Sequence, residues 1–274
     1  NTYAGGTTIN TSGSLVLAGN DRLLTTGNLT LNAGTFNLGG YAQSLVAVTQ
    51  TGGLISNGSL SFTTLELQAG TVDAVLAAGA VTKKTGGTST LNAANTYAGG
   101  TALEAGILRV GNNSALGVGS LTITGGYLRT AGTTARTLAN DIILSATAYF
   151  GEYYTDYGAL TLTGAATLDN FSGAPVVVAG GTVVNFNNNF TFGGTGALDF
   201  GARNFTGAAA RTITLGGTQT LRIGGSINLA ANALTLTAGT ANSGAYGANL
   251  ENPGRGGRLV LAGANTFGGG TTLS

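Results

Sequence analysis

Gly27-Asn28-Leu29-Thr30-Leu31-Asn32-Ala33-Gly34-Thr35-Phe36 is the stretch on which the reading of this chain turns. Leu29 and Leu31 alternate with Asn28 and Thr30, the period-2 pattern of a strand with one buried face. Ala33-Gly34 then breaks the pattern, and Thr35-Phe36 starts it again. Glycine suits such a corner because it accepts positive φ and lets another backbone come close.

Both halves of this stretch recur. The first half, Gly, small residue, Leu, any residue, apolar, appears at Gly13–Leu17, Gly58–Phe62, Gly119–Ile123, Gly158–Leu162 and Gly196–Phe200. The second half returns as Gln68-Ala69-Gly70-Thr71-Val72 and Glu104-Ala105-Gly106-Ile107-Leu108. The copies starting at Gly119, Gly158 and Gly196 stand 39 and 38 residues apart, and Gly58 precedes Gly119 by 61. A coil of about 19 to 20 residues, counted twice or three times, fits all these intervals. Short strands at this period, with no helical apolar spacing and no long loop, favour a solenoid over a sandwich or barrel. Asn57-Gly58 is the only Asn-Gly or Asp-Gly pair, so antiparallel hairpins lack their usual turn signal. The sequence therefore predicts an all-β, right-handed parallel β-helix (β-solenoid) of about 14 coils of roughly 20 residues. Strands of three to five residues would form three short sheets, with Asn and Thr stacking in ladders. At about 4.8 Å per coil the rod would be on the order of 65 Å long.

Composition agrees and excludes several classes. Of 274 residues 49 are Gly and 2 are Pro, and only 8% are charged, far below the roughly 25% of ordinary soluble domains. Hydrophobic content of 42% is enough to build a core, so charge-driven disorder is excluded. Net charge is +1 with no basic stripe, which gives no footprint for nucleic acid or anionic lipid. The chain has no Cys, hence no disulfide or thiolate metal site, and no apolar run long enough for a transmembrane helix.

A longer motif is more specific. It reads Asn1-Thr2-Tyr3-Ala4-Gly5-Gly6-Thr7-Thr8-Ile9, Asn95-Thr96-Tyr97-Ala98-Gly99-Gly100-Thr101-Ala102-Leu103 and Asn265-Thr266-Phe267-Gly268-Gly269-Gly270-Thr271-Thr272-Leu273. These three copies resemble the passenger-associated transport repeat, also called the autotransporter-associated β-strand repeat. The resemblance implies a β-helical passenger, exported unfolded and folded outside the cell, and links the repeat itself with export and folding rather than with a ligand. Asn1 and Asn265 hold the same motif position 264 residues apart. The expectation is a single β-solenoid segment, residues 1–274, of a longer surface protein; the two end copies fit either one unit of a tandem array or a boundary that falls inside a repeat also present at Asn95.

Catalytic options are few. With neither His nor Cys, triads and zinc sites built on them cannot exist within the chain. Parallel β-helix lyases and hydrolases cluster their carboxylates, but here Asp21, Glu66, Asp73, Glu104, Asp141, Glu152, Asp156, Asp169, Asp199 and Glu251 are scattered. Only Glu152 and Asp156 lie close together. The Gly-Gly-x-Gly-x-Asp calcium repeat is absent, and Gly268-Gly269-Gly270 lacks the Lys and helix of a phosphate loop. Enzyme, cofactor and metal are all expected to be absent.

Four of the nine tyrosines, Tyr149, Tyr153, Tyr154 and Tyr157, fall within ten residues beside Glu152 and Asp156. They could grip a sugar or protein, because Tyr pairs rigid apolar area with a polar tip, or could form a loop covering the solenoid. Asn185 to Asn189 reads as a corner with Asn ladders. Thr122/Thr124, Thr161/Thr163, Thr212/Thr214 and Thr235/Thr237 flank an inward Ile or Leu, so they face outward; a flat Thr lattice could bind ice, but strands favour Thr anyway. The expected role is a structural or adhesive rod, stalk or filament at the bacterial cell surface. Its partners would be neighbouring segments or copies of itself end to end, or surface glycans and proteins, and not nucleic acid.

Overall fold

The computed structural model describes residues 5–10, 12–132, 134, 136–144, 148–150, 154–156, 160–162, 166–170, 175–177, 183–194, 196–238 and 257–273. The strands of the long sheets pair in parallel, and no helix occurs among the described residues. The chain forms two compact units, residues 1–140 and 141–274.

In the first unit one sheet carries Thr7–Ile9, Asn28–Leu31, Ala42–Gln50, Ser59–Leu67, Val75–Lys83, Thr101–Leu103 and Leu121–Ile123. The other carries Ser14–Val16, Thr35–Asn37, Leu54–Ser56, Gly70–Val72, Thr88–Leu91, Ile107–Val110 and Tyr127–Thr130. Each strand bonds to the strand one coil away, so side chains stack in columns. Leu29, Val48, Leu65, Val81, Thr101 and Leu121 form one buried column. Phe36, Ile55, Val72, Leu91, Val110 and Thr130 form another on the opposing sheet. Burying a Leu or Val is worth about 1.5–3 kcal/mol, and here the burial exists only because the coils above and below supply the walls.

The second unit has three parallel sheets. Its third is made by Val176–Val177, Leu198–Asp199, Thr220–Ile223 and Arg258–Leu261. Aromatic rings fill part of the interior: Phe186 lies 5.4 Å from Phe190 and 5.9 Å from Phe205, with Phe200 edge-on to Phe205 at 5.2 Å. Such edge-on geometry suits the ring quadrupoles.

Three details differ from the sequence reading. The strands Ala42–Gln50, Ser59–Leu67 and Val75–Lys83 are nine residues long, not three to five. In Ala42–Gln50 the buried residues are Gln43, Leu45, Val48 and Gln50, so Val46 and Ala47 both face away from the core and the strand bends there. Two sides of the coil thus merge into one ribbon, and the first unit shows two sheets of stacked coils where three were expected. Coil lengths also vary. Leu65 pairs with Val81, 16 residues on, whereas Leu160 pairs with Val184, 24 on, and Asn228 with Thr266, 38 on. Among the described residues the first unit has seven rungs bounding six complete turns, and the second has six bounding five, fewer than the fourteen expected.

The expected ladders are present. Asn32 Nδ2 donates to Asn10 Oδ1 at 2.7 Å, and Thr51 Oγ1 donates to Asn32 Oδ1 at 2.9 Å. Asn57 Nδ2 donates to Asn37 Oδ1 at 3.2 Å, and Asn92 Nδ2 to Asp73 Oδ1 at 2.7 Å. Asn187 to Asn189 form the corner between Val183–Phe186 and Phe190–Phe192, while Asn185 itself lies on the strand and donates to Thr161 Oγ1 at 2.9 Å. Asn57-Gly58 is also a corner, between Leu54–Ser56 and Ser59–Leu67, and not a hairpin turn.

Candidate functional site: the inward polar corner

The longest motif can be followed in its second copy, residue by residue. Asn95 is 2% exposed and its amide reaches both neighbouring coils. Its Oδ1 accepts from Leu76 N at 2.8 Å, and its Nδ2 donates to Ala115 O at 2.7 Å. A carboxamide has a donor and an acceptor on one planar group, so one side chain can satisfy a backbone N–H on one coil and a carbonyl on the other. Tyr97 is fully buried and fills the interior, with its hydroxyl 2.6 Å from Thr101 Oγ1. Burial pushes its phenol well above the ordinary Tyr value, and the Thr101 bond offsets this only in part. Gly99 follows, where any side chain would meet the backbone of Gly79 and Ala80 on the coil before. Gly100 turns the chain at φ +80° into the strand Thr101–Leu103.

The third copy keeps the half of the clamp that faces the preceding coil, while its amide donor turns to a carbonyl two residues back in its own chain. Asn265 Oδ1 accepts from Ile227 N at 2.8 Å, and its Nδ2 donates to Gly263 O at 2.9 Å. Phe267 replaces the tyrosine, and Gly270 takes φ +80°. Other buried amides do similar work. Gln43 accepts from Leu23 N at 2.9 Å and donates to Leu23 O at 3.2 Å. Asn140 Nδ2 donates to the carbonyls of Leu116, Gly117 and Gly119 at 3.3, 3.1 and 2.7 Å. Between Asn95 and Asn140 lies an open groove of about 380 Å³ whose walls include Ala94, Thr96, Asn113, Ser114 and Val118, with no titratable group among its lining residues.

Lys83 is the least expected interior residue. It occupies the column Leu31, Gln50, Leu67, Lys83, Leu103, Ile123 and is 0% exposed. Its Nζ donates to Gln68 O at 3.0 Å and to Thr85 O, both at the corner that follows, and removal from water lowers its pKa. Gln50 does the same two rungs earlier, donating to Gly53 O and Thr71 O at 3.0 and 3.1 Å. These side chains donate to backbone carbonyls from inside the coil, so each buried polar head finds acceptors.

Two ion pairs lie nearer the surface. Lys84 lies 3.3 Å from Glu66, whose carboxyl is held below its ordinary range by the Gln68 amide first and by Lys84 second. Arg222 Nη1 lies 3.0 Å from both oxygens of Asp199. Among the described residues no three His, Cys, Asp or Glu side chains gather as a metal site, and no helix is long and apolar enough to cross a membrane.

Of the proposed partner-binding residues, Tyr153 and Tyr157 lie outside the described residues. Tyr149 and Tyr154 fall on the strands Ala148–Phe150 and Tyr154–Asp156, but their side chains are likewise outside the description, as is Glu152. The Thr pairs face outward where described: Thr212 and Thr214 are partnered with Thr235 and Thr237, around the buried Ile213 and Leu236.

Stacked parallel coils whose corners are clamped from inside by recurring Asn and aromatic residues define a β-solenoid built from a transport-type repeat. The passenger-associated-transport-repeat model matches residues 1–17, 81–110, 155–184 and 256–274, so the chain carries this repeat, and its solenoid is consistent with an autotransporter passenger domain. A passenger repeat of this kind implies a secreted or cell-surface protein. No curated protein and no solved structure matches the chain.

The match at 155–184 is one the sequence reading missed. Asn170-Phe171-Ser172-Gly173 has one residue fewer between Asn and the aromatic than Asn95-Thr96-Tyr97, and Ala174-Pro175 follows where Gly-Thr stands elsewhere. Yet Asn170 is buried, and its Nδ2 donates to Ala197 O at 2.7 Å. An Asn shortly before an aromatic and a Gly was the signal that could have found it.

Proposed function

We propose that this chain is a non-catalytic structural segment of a secreted or cell-surface passenger, serving as a rod, stalk or filament that holds other parts of its protein away from the cell. One observation carries this reading: the most distinctive residues of the repeat, Asn95 and Tyr97, point into the coil and are spent on holding it together. A repeat selected for ligand contact would spend its signature residues on the outside. Copies of the segment, or neighbouring solenoid, would continue the stack end to end. The test is imaging of native surface material by electron microscopy with a label on this segment. Label spaced along rods or filaments supports the reading, and label confined to globular particles overturns it.

A second reading, adhesion to glycans or proteins through Tyr149, Tyr153, Tyr154 and Tyr157, is favoured by the concentration of four of nine tyrosines between residues 149 and 157. Loss of cell or glycan-array binding in a Tyr153→Ala/Tyr154→Ala variant of unchanged circular dichroism would support it. Unaltered binding would remove it.

A further inference from the structure

The outward face of Thr88–Leu91, Ile107–Val110 and Tyr127–Thr130 carries a charge arrangement that the solenoid does not need. Because Leu108, Val110, Leu128 and Thr130 point inward, Arg109 and Arg129 point outward. They are partnered in register on neighbouring strands, as are Ile107 and Tyr127 beside them. Partnered positions on adjacent strands are about 4.8 Å apart, and like charges so placed repel. Among the described residues no carboxylate forms an ion pair with either arginine. Asp73, which flanks Thr71 two rungs away, already accepts from Asn92. Tyr127, 36% exposed, holds the Arg129 guanidinium 5.4 Å from its ring centroid, which keeps that head on the sheet instead of letting it swing away from its neighbour.

Below the two arginines the same column continues as Thr90 and Thr71, with Thr88 alongside in the Ile107 column. The face therefore offers two planar cationic forks, then a short run of hydroxyls, with Ile107 and Tyr127 in the column alongside the forks. We propose that it binds an acidic saccharide, with a uronic-acid carboxylate bridging Arg109 and Arg129 and the ring hydroxyls lying over Thr88 and Thr90. An anion shared by both forks would cancel the repulsion between them and add charge-assisted hydrogen bonds. The proposal is separate from the structural role above, since a stalk needs no ligand on this face.

The test is isothermal titration of the whole chain with tetragalacturonic acid, with the neutral galactose tetramer and with a single-stranded oligonucleotide as comparators. The acidic tetramer is expected to bind, weakening as salt rises, while the neutral tetramer binds about tenfold or more weakly. An Arg109→Gln/Arg129→Gln variant should lose about tenfold or more in affinity, and Arg109→Lys/Arg129→Lys should keep only part of it, because charge remains but the fork is gone. Circular dichroism and melting of both variants establish that the coil is retained; these positions are solvent-facing and tolerate exchange. No binding by the wild type, equal binding of the neutral tetramer, unchanged affinity in the Gln variant, or preference for the oligonucleotide would each overturn it.

Discussion

Replacing Asn95 by Ala should be among the most damaging single polar changes in the first unit. The truncation leaves Leu76 N–H and Ala115 C=O without the partners they have at 2.8 and 2.7 Å, in a place 2% exposed where water does not substitute. An unsatisfied buried polar group costs about 1–3 kcal/mol, so the two together should cost roughly 2–6 kcal/mol. Because the lost bonds tie a coil to both of its neighbours, the damage should be local to the stack on either side. Urea unfolding followed by circular dichroism should show an earlier transition, broadened or split if the solenoid now yields in two parts. Asn95→Asp refines the test. It keeps an acceptor for Leu76 N–H but removes the donor to Ala115 O and buries a charge, so it should be at least as harmful at neutral pH and should partly recover on acidification, when the carboxyl can donate. Thr96→Ala, exposed and making one 3.2 Å bond to Ala77 O, is the control and should lie within about 0.5 kcal/mol of wild type. If Asn95→Ala behaves like Thr96→Ala, the clamp is not what holds the corner.

Other consequences can be checked on the same protein. Tyr97→Phe removes only the hydroxyl bond to Thr101 and reproduces Phe267 of the third copy, so it should cost about 1 kcal/mol, and the wild-type Tyr97 phenol should resist ionisation in an ultraviolet pH titration until the coil opens. Lys83 has a lowered pKa when folded, so the unfolded chain binds more protons at high pH and stability should rise with pH between that lowered value and about 10.5. Lys83→Met should flatten this dependence in pH-resolved urea midpoints, and an identical slope in the variant would refute the assignment. Gly106→Ala places a methyl against Thr85 O at φ +73° and should cost well over the about 1–2 kcal/mol set by the dihedral alone, whereas Gly132→Ala, at φ +85° with open space around it, should cost only that amount. Equal melting losses would show that close packing between corners is not limiting.

The coil was legible because alternation is a strong local signal: Leu29 and Leu31, Leu121 and Ile123, and Leu60 and Phe62 all point inward as their spacing requires. Coil number was not legible, because the period was read from copies that happen to lie near multiples of one value, while real coils run from 16 to 38 residues. The nine-residue strands hid for a related reason. The two outward residues at the bend, Val46 and Ala47 or Thr63 and Thr64, break the alternation without a glycine to mark it. Interior polar residues were the largest blind spot. Polarity assigns Gln43, Gln50, Lys83 and Asn140 to solvent, although the first three share the strand parity of Leu45, Val48 and Val81, and only the backbone carbonyls within their reach explain how they are accommodated inside. The motif itself was visible as Asn-Thr-Tyr-Ala-Gly-Gly, but its chemistry was not. Nothing in one coil's sequence says that Asn95 serves Leu76 before it and Ala115 after it.

The parallel stacking of successive coils is best tested by disulfide trapping, which the absence of native cysteine makes clean. Ala102 and Thr122 are outward partners in register on adjacent rungs, with a Cα separation of about 4.8 Å that a disulfide can span. Ala102→Cys/Thr122→Cys should oxidise rapidly under mild conditions and leave the coil folded, while Ala102→Cys/Thr124→Cys, displaced diagonally and past the strand end, should oxidise far more slowly. Equal rates for the two pairs, or trapping only of the displaced one, would contradict a stack of parallel coils in this register.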